Sequence, residues 1–369
     1  MKNFYHCLAA AAVMCLYSFS AAAGTPLGLP PVPIPADNPQ TPEKIALGDK
    51  LFHDKRFSST GEVNCATCHA REKVFTDLLP VSEGINKLKG TRSAPTVVNA
   101  AYLQTQFWDG REPTLEAQSA QPFVNPIEMG LPNHDPILKI VRTDAEYADL
   151  FKKAFGKTGD QITMDEVKKA IGAFERTIIS GDSPFDRYQY GGDAKAISPA
   201  AKRGLALFRG QARCVSCHVI EETQALFTNN RFHNIGLGFA KIAGSEEAVV
   251  KAHMEARSKG ATVGDEVLTK EKTSELGRLV VSGALQDMGG FKTPTLRNIA
   301  KTAPYGHDGS LAKLEDVVTF YNNGGRVKDT DPFSPYLDGG IRPLKLSKEQ
   351  EADLVEFLKT LTSPEYEKF

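Results

Sequence analysis

Hydrophobic positions recur at helical spacing in several stretches of the chain. Val167, Ile171, Phe174 and Ile178 fall at i, i+4, i+7 and i+11, one face of a helix. Near the C-terminus, "LSKEQEADLVEFLKTL" opens with Ser347 and Gln350 at capping-box spacing and continues through Leu354, Leu358 and Leu361. In "SLAKLEDVVTFYNNGG", Leu314, Val317, Val318 and Tyr321 share another such face. "TPEKIALGDKLF" (41–52) and "SPAAKRGLALF" (198–208) repeat one design: a Thr or Ser N-cap, Pro at the first helical position, and a closing Gly-x-x-Leu-Phe. Period-two strand patterns are scarce. The pattern predicts a mostly α chain with long ordered loops, built as two similar units that meet near "YQYGGDAKAIS" (188–198).

The N-terminus departs from this pattern. One Lys precedes an apolar run of about a dozen residues from Leu8, followed by Ala21-Ala22-Ala23, which is the layout of a secretory signal peptide over residues 1–23. The run is too short for a convincing membrane span, so the mature protein is expected to be soluble and exported to the periplasm. "GTPLGLPPVPIPADNP" opens a Pro-rich leader (24–40), expected to be extended and poorly packed. An N-terminal unit (41–190) and a C-terminal unit (191–369) follow, in keeping with a length that suits two domains. Formal net charge is −1 with acids and bases interspersed. That balance offers no basic surface for nucleic acid and no polybasic patch for a membrane, which leaves small molecules or another protein as partners.

Of six cysteines, Cys7 and Cys15 fall in the signal, leaving Cys65, Cys68, Cys214 and Cys217. In an exported chain four cysteines suggest two disulfides. Their spacing argues otherwise, because "CATCH" (65–69) and "CVSCH" (214–218) are two C-x-x-C-H haem attachment signatures. Two thiols capture the vinyl groups of one porphyrin, and the adjoining imidazole reaches its iron. The sequence therefore predicts two covalent c-type haems, with His69 and His218 as proximal ligands and one cytochrome-c-like domain around each. A redox dithiol would need a βαβ setting that is missing, and zinc would not need both histidines in the same place.

A haem that only carries electrons fills both axial positions, whereas one that reacts with peroxide leaves a site open. Residues 70–106 contain neither His nor Met, so the first iron is read as open, with Tyr102 and Met129 as ligands by position only. For the second iron the candidates are His233, His253, Met254, Met288, His307 and Tyr321. By pattern alone Tyr321 is more often a core aromatic, Met288 is a soft ligand or a plain loop residue, and His307 holds a loop or a propionate.

These motifs, together with "QFWDGR" (106–111), "NPIEMG" (125–130), "FHNIGL" (232–237), "FKTPTLRNIAKTAPYGHDGS" (291–310) and "FYN" (320–322), resemble the bacterial di-haem cytochrome c peroxidases and MauG-type enzymes over essentially the whole mature chain. The resemblance implies a peroxidatic haem on His69 and an electron-transfer haem on His218. It places Trp108, the only tryptophan, between the porphyrins as an electron relay, with Gln118 and Glu128 lining the distal pocket. Glu128 would shuttle a proton between the peroxide oxygens and Gln118 would hydrogen-bond the bound peroxide. Where many relatives carry a displaceable His, this chain has Ile85; where typical members cap the second haem with Met, it has Tyr321, as MauG-type enzymes do. The family's calcium ligands correspond to Ser93, Thr302 and Pro304, with Ser in place of an Asn. Where MauG has a surface Trp, this chain has Ala212.

The resulting expectation is a periplasmic di-haem peroxidase fed by a small donor protein, a cytochrome c or a cupredoxin. The alternative is a MauG-like enzyme that uses peroxide and a bis-high-valent di-haem state to oxidise Trp residues of a partner protein. A non-enzymatic di-haem electron carrier is the third reading, and a second copy of the chain is a further candidate partner.

Overall fold

A computed structural model describes residues 24–369; the expected signal peptide, 1–23, lies outside the described residues. Among the described residues helices dominate, and a single two-stranded ladder pairs Phe232–His233 antiparallel with Phe291–Lys292, Phe232 opposite Lys292.

The two repeated segments form matching helices. Thr41 caps Pro42–Phe52, its hydroxyl accepting from Lys44 N at 3.3 Å, and Ser198 caps Pro199–Arg209, accepting from Ala201 N at 3.1 Å. Each cap satisfies an otherwise orphaned amide, worth about 1 kcal/mol. The glycine common to both segments is required by a close helix crossing. A Cβ on Gly48 would lie 2.0 Å from Ala170 O and 2.8 Å from Phe174 Cβ, and one on Gly204 would lie 2.0 Å from Asp353 O and 2.8 Å from Phe357 Cβ. Pro42–Phe52 thus packs on Met164–Glu175 just as Pro199–Arg209 packs on Lys348–Lys359. The duplication legible as two short flanks is a duplication of whole helix pairs.

Each pair carries its own core. Leu47, Leu51, Phe57, Phe123, Tyr147 and Ile171 fill the first; Leu205, Phe208, Phe227, Phe357 and Leu361 fill the second. A third cluster, of Phe239, Val249, Val267, Leu276 and Met288, forms in the excursion between the two strands. The two-unit reading did not mark it. The ends interlock as well: Tyr366, three residues from the C-terminus, packs against Val74, Val98, Leu115 and Ile178 of the first half.

Two expectations need correction. The Met164–Glu175 helix ends before Ile178, which is buried from the following turn instead, so the i+11 position keeps its burial without its helix. The leader is extended but not poorly packed. Leu29 and Asn38 are buried, Tyr102 donates its hydroxyl hydrogen to Pro30 O at 2.9 Å, and Gly28 O accepts from Arg297 Nη2 at 2.8 Å. Arg297 is itself 2 % exposed and pairs with buried Asp186 at 2.8 Å. Its Nε–H goes to Ala225 O at 2.8 Å, and the leader backbone accepts a further N–H that burial would otherwise leave unpaired.

Candidate functional site

His69 and His218 occupy matching settings. Each follows a short turn carrying two cysteines, and each points Nδ1 at a backbone carbonyl: Phe75 O at 3.1 Å and Phe227 O at 2.9 Å. An Nδ1–H donating to that carbonyl leaves the Nε2 lone pair for a metal. Burial drives His218 down to about 4 and lowers His69 as well, so both rings are neutral, as a ligand must be. Cys65, Cys68, Cys214 and Cys217 form no disulfide with one another. Burial pushes Cys68 and Cys214 up to about 12 and Cys65 higher, the reverse of an activated redox dithiol. Half-buried sulfurs, neutral imidazoles with fixed tautomers and the C-x-x-C-H order fit a covalent haem at each site.

Around the first motif, Glu128 sits in a turn pinned from both sides. Asn125 Oδ1 accepts from Ile127 N at 2.9 Å and Glu128 N at 3.3 Å, and Glu128 O accepts from Ile85 N at 3.0 Å. Burial raises the Glu128 carboxyl, Arg111 pulls it partly back, and its charge reaches both Cys65 and Cys68. Gln118 is half-buried on the Leu115–Ser119 helix, which is fixed to the Met164–Glu175 helix by a Glu116–Arg176 pair at 2.7 Å. Ile85 is buried against this region, and a Cβ on Gly84 would lie 1.9 Å from Ile127 O. Gly84→Ala should therefore force the 82–90 loop off the Glu128 turn and destabilise the protein by about 1–3 kcal/mol, measured as a lower thermal midpoint of the holoprotein.

Trp108 is held by backbone on both its ends. Its Nε1–H donates to Ser93 O at 3.0 Å, and its own carbonyl accepts from Lys292 N at 2.8 Å. The next residue, Asp109, is fully buried and bonds Arg92 at 2.6 Å and Arg111 at 3.0 Å. Burial opposes its charge, yet Arg111 and Arg92 outweigh burial and keep it ionised. Lys292 lies under the same loop, its Nζ donating to Thr105 O at 2.5 Å, and burial lowers it to about 8.

A matching loop stands in the second half. Bridges Gln106–Glu112 and Tyr305–Leu311 close the two loops in one register, with Asp109 matched by Asp308 and left-handed Asn99 by Asn298. In that register Trp108 corresponds to His307, and Tyr321 to Pro122. The loops also meet: Ser93, whose carbonyl holds Trp108, donates its N–H to His307 O at 2.8 Å. His307 stacks on Phe291 with centroids 3.7 Å apart and bonds Glu275 at 2.7 Å. Glu275, His307 and Asp308 could together hold a metal, but Lys241 Nζ bonds Glu275 and Asp308 at 2.9 Å each and supplies the positive charge itself.

Among the sixth-ligand candidates, Tyr321 packs on the cluster that includes Cys214 and Val215; burial pushes its phenol up, and the Cys214 and Cys217 thiols add to the shift. Its deprotonation would need a bound cation. Met288 is 2 % exposed inside the third cluster, with nothing joining it to the second motif. His253 is buried beside Glu266, Met254 is exposed, and His233 is bonded to Asp338. In the first half, Tyr102 is engaged by the leader and Met129 is a core residue. Ser93 already gives its carbonyl to Trp108, and the Thr302 hydroxyl turns back onto Ile299 O.

Residues 42–195 match the di-haem cytochrome c peroxidase family. A cytochrome-c peroxidase IdrP1 of Denitromonas iodatirespirans is 36% identical over 364 residues, covering 96% of this chain and 92% of that protein. The chain belongs to the di-haem cytochrome c peroxidase family. Methylamine utilization protein MauG of Methylorubrum extorquens is 36% identical over 330 residues, 89% of this chain and 81% of its own. Among solved structures, a MauG-like protein associated with microbial copper homeostasis superimposes with a TM-score of 0.76 at 35% identity, covering 94% of this chain and 98% of that one. Family membership implies two c-type haems, and the two matching His settings suit them.

Several neighbours escaped the sequence reading. Arg111 and Lys292 stand inside the quoted motifs without a role there, and Glu175, raised by burial to about 8, carries no sequence signal. Setting "FWDGREPTLE" beside "GHDGSLAKLE" would have aligned Pro122 with Tyr321.

Proposed function

We propose that the chain reduces hydrogen peroxide at a haem held by Cys65, Cys68 and His69, with electrons passed from a haem on Cys214, Cys217 and His218 through Trp108. The observation that carries this reading is the inequality of two otherwise matching halves. At the position that matches Tyr321 in the common register the first half has Pro122, whose side chain has no donor atom, and its acid nearby in sequence is the half-buried Glu128, raised by burial. Each haem, when bound, supplies an iron able to exchange electrons with peroxide or with its neighbour.

The chain's own groups supply the proton chemistry and the order. Glu128 takes a proton from the near peroxide oxygen and returns it to the departing one, which leaves as water. Gln118 donates a hydrogen bond to the bound peroxide. Ile85, a buried hydrocarbon in the loop over Glu128, offers iron no ligand. Trp108, pinned by Ser93 and Lys292, presents an oxidisable ring at fixed position. A calcium ion on the oxygens of Ser93, Thr302 and Pro304, a division into haem units at 41–190 and 191–369, a periplasmic location, and a small cytochrome c or cupredoxin as donor complete the proposal.

The test is the oxidised holoprotein. It should show one high-spin and one low-spin haem by electron paramagnetic resonance and turn over peroxide steadily with reduced cytochrome c. Two low-spin haems would refute the open site. Tyr321 favours a second reading, oxidation of Trp residues on a partner protein, since an anionic phenolate stabilises oxidised iron. Ala212 is buried and supplies no surface indole for that route. Negligible turnover with a long-lived oxidised state after peroxide would select this second reading.

A further inference from the structure

The indole N–H of Trp108 rests on one main-chain oxygen, Ser93 O. Ser93 belongs to no helix or strand, so that oxygen is only as fixed as the groups that hold its own stretch of chain. One hold is the Ser93 N–H, which donates to His307 O at 2.8 Å. The other comes through the preceding residue, Arg92, whose Nε donates to Ser274 Oγ at 2.9 Å and whose Nη2 donates to Ser274 O at 3.0 Å.

These two holds meet in the excursion. Ser274 ends the Glu271–Ser274 helix, and the next residue, Glu275, accepts from His307 Nε2 at 2.7 Å. Arg92 also reaches Asp109, the residue after Trp108, through Nη1 at 2.6 Å. The contacts close a circuit: Trp108 to Ser93, Ser93 to His307, His307 to Glu275, Ser274 to Arg92, Arg92 to Asp109, and along the chain back to Trp108. Every member but Trp108 is buried. Lys241 Nζ steadies Glu275 from its other oxygen at 2.9 Å. Phe291 braces two members, stacking on His307 at 3.7 Å and lying 5.4 Å from the Arg92 guanidinium carbon. Buried hydrogen bonds joined in series fix one another's geometry, so one broken link loosens the rest.

We propose that Glu275 and His307 are positioning residues for Trp108: their bond closes the circuit that aims Ser93 O at the indole N–H. This rests on the reading of Trp108 as the electron relay. A relay ring on a loop has to be held in one place by the hydrogen bonds and packing behind it. Here that backing comes from the excursion and the second half, while the indole itself belongs to the first. Without the Glu275 link, the His307 segment is free to shift, and Ser93 keeps only the hold through Arg92.

Trp108 is the only tryptophan, so ultraviolet resonance Raman spectroscopy of the holoprotein reads its N–H hydrogen bond from a single indole. His307→Phe keeps a ring to stack on Phe291 but has no donor for Glu275. It should shift the hydrogen-bond-sensitive indole band toward that of a free N–H. His307→Gln, which carries an N–H at similar reach, should restore the native band. Electron passage from the second haem to the first after peroxide addition, followed by stopped flow, should slow in His307→Phe and recover in His307→Gln. Should His307→Phe fail to take up both haems, Glu275→Met breaks the same link from the other side, with Lys241 still paired to Asp308. A native indole band in either link-breaking variant with both haems bound overturns the proposal, as does a shift that His307→Gln leaves in place. If Trp108→Phe passes electrons at the native rate, the relay reading fails, while the indole band still decides whether Glu275 and His307 hold Trp108.

Discussion

Glu128→Gln is expected to retain both haems and the native fold yet react with peroxide about 10²- to 10⁴-fold more slowly, the usual contribution of a positioned acid–base group. The amide matches the carboxyl in shape. The contacts that fix this residue run through its backbone, to Asn125 and Ile85, so folding does not depend on the side chain's charge. What the amide lacks is a site that can hold the peroxide proton. Stopped-flow mixing of the oxidised holoprotein with peroxide measures the rate, and a native rate would remove Glu128 from the mechanism. The pH dependence follows with a definite sign. Burial raises the Glu128 carboxyl, so the wild-type rate should fall with decreasing pH at a point above the ordinary carboxylate range. The Gln variant should show no such limb.

Asp109→Ala should be the most damaging single change to stability, costing about 3–5 kcal/mol because it leaves buried charge uncompensated. Arg92 and Arg111, with side chains 4% and 10% exposed, both converge on this one carboxylate. Arg92 would keep its bonds to Ser274, at 2.9 Å through Nε and 3.0 Å through Nη2, but lose its counter-charge. Arg111 would lose the fork that aims it. Asp109→Asn keeps the shape and one acceptor and should cost less. Denaturant unfolding of the holoprotein followed in the far ultraviolet gives the comparison. Equal midpoints for wild type and Asp109→Ala would show that the two guanidiniums find other acceptors and that the loop carrying Trp108 does not depend on this pair.

The helical faces were readable because each depends on near neighbours. The capping of Pro42–Phe52, Pro199–Arg209 and Lys348–Lys359 involves residues within one turn of each other, and the structure forms all three as the pattern predicts. Ile178 marks where that logic stops: periodicity registers burial, and a buried residue just past a helix end satisfies the same count. The leader was misjudged for a related reason. Its Pro-rich composition describes the free chain, whereas its packing is decided by the acceptor that Arg297 lacks until Gly28 arrives. Met288 shows the same limit, since a soft ligand and a core methionine have one sequence signature and differ only in their surroundings.

The sequence by itself determined the chemistry: two Cys-x-x-Cys-His sites, a lone indole, one carboxyl at a set spacing from it, and membership of the peroxidase family that the comparisons bear out. These are properties of residue identity and short spacing, which no fold can alter. Only the tertiary structure decided which groups confront one another. It joined Trp108 to His307 through Ser93, brought Arg92 and Arg111 together on Asp109, and set Ile85 against the Glu128 turn. Electrostatic fields and hydrogen bonds act across a few ångströms of space, and chain separation carries almost no information about those distances.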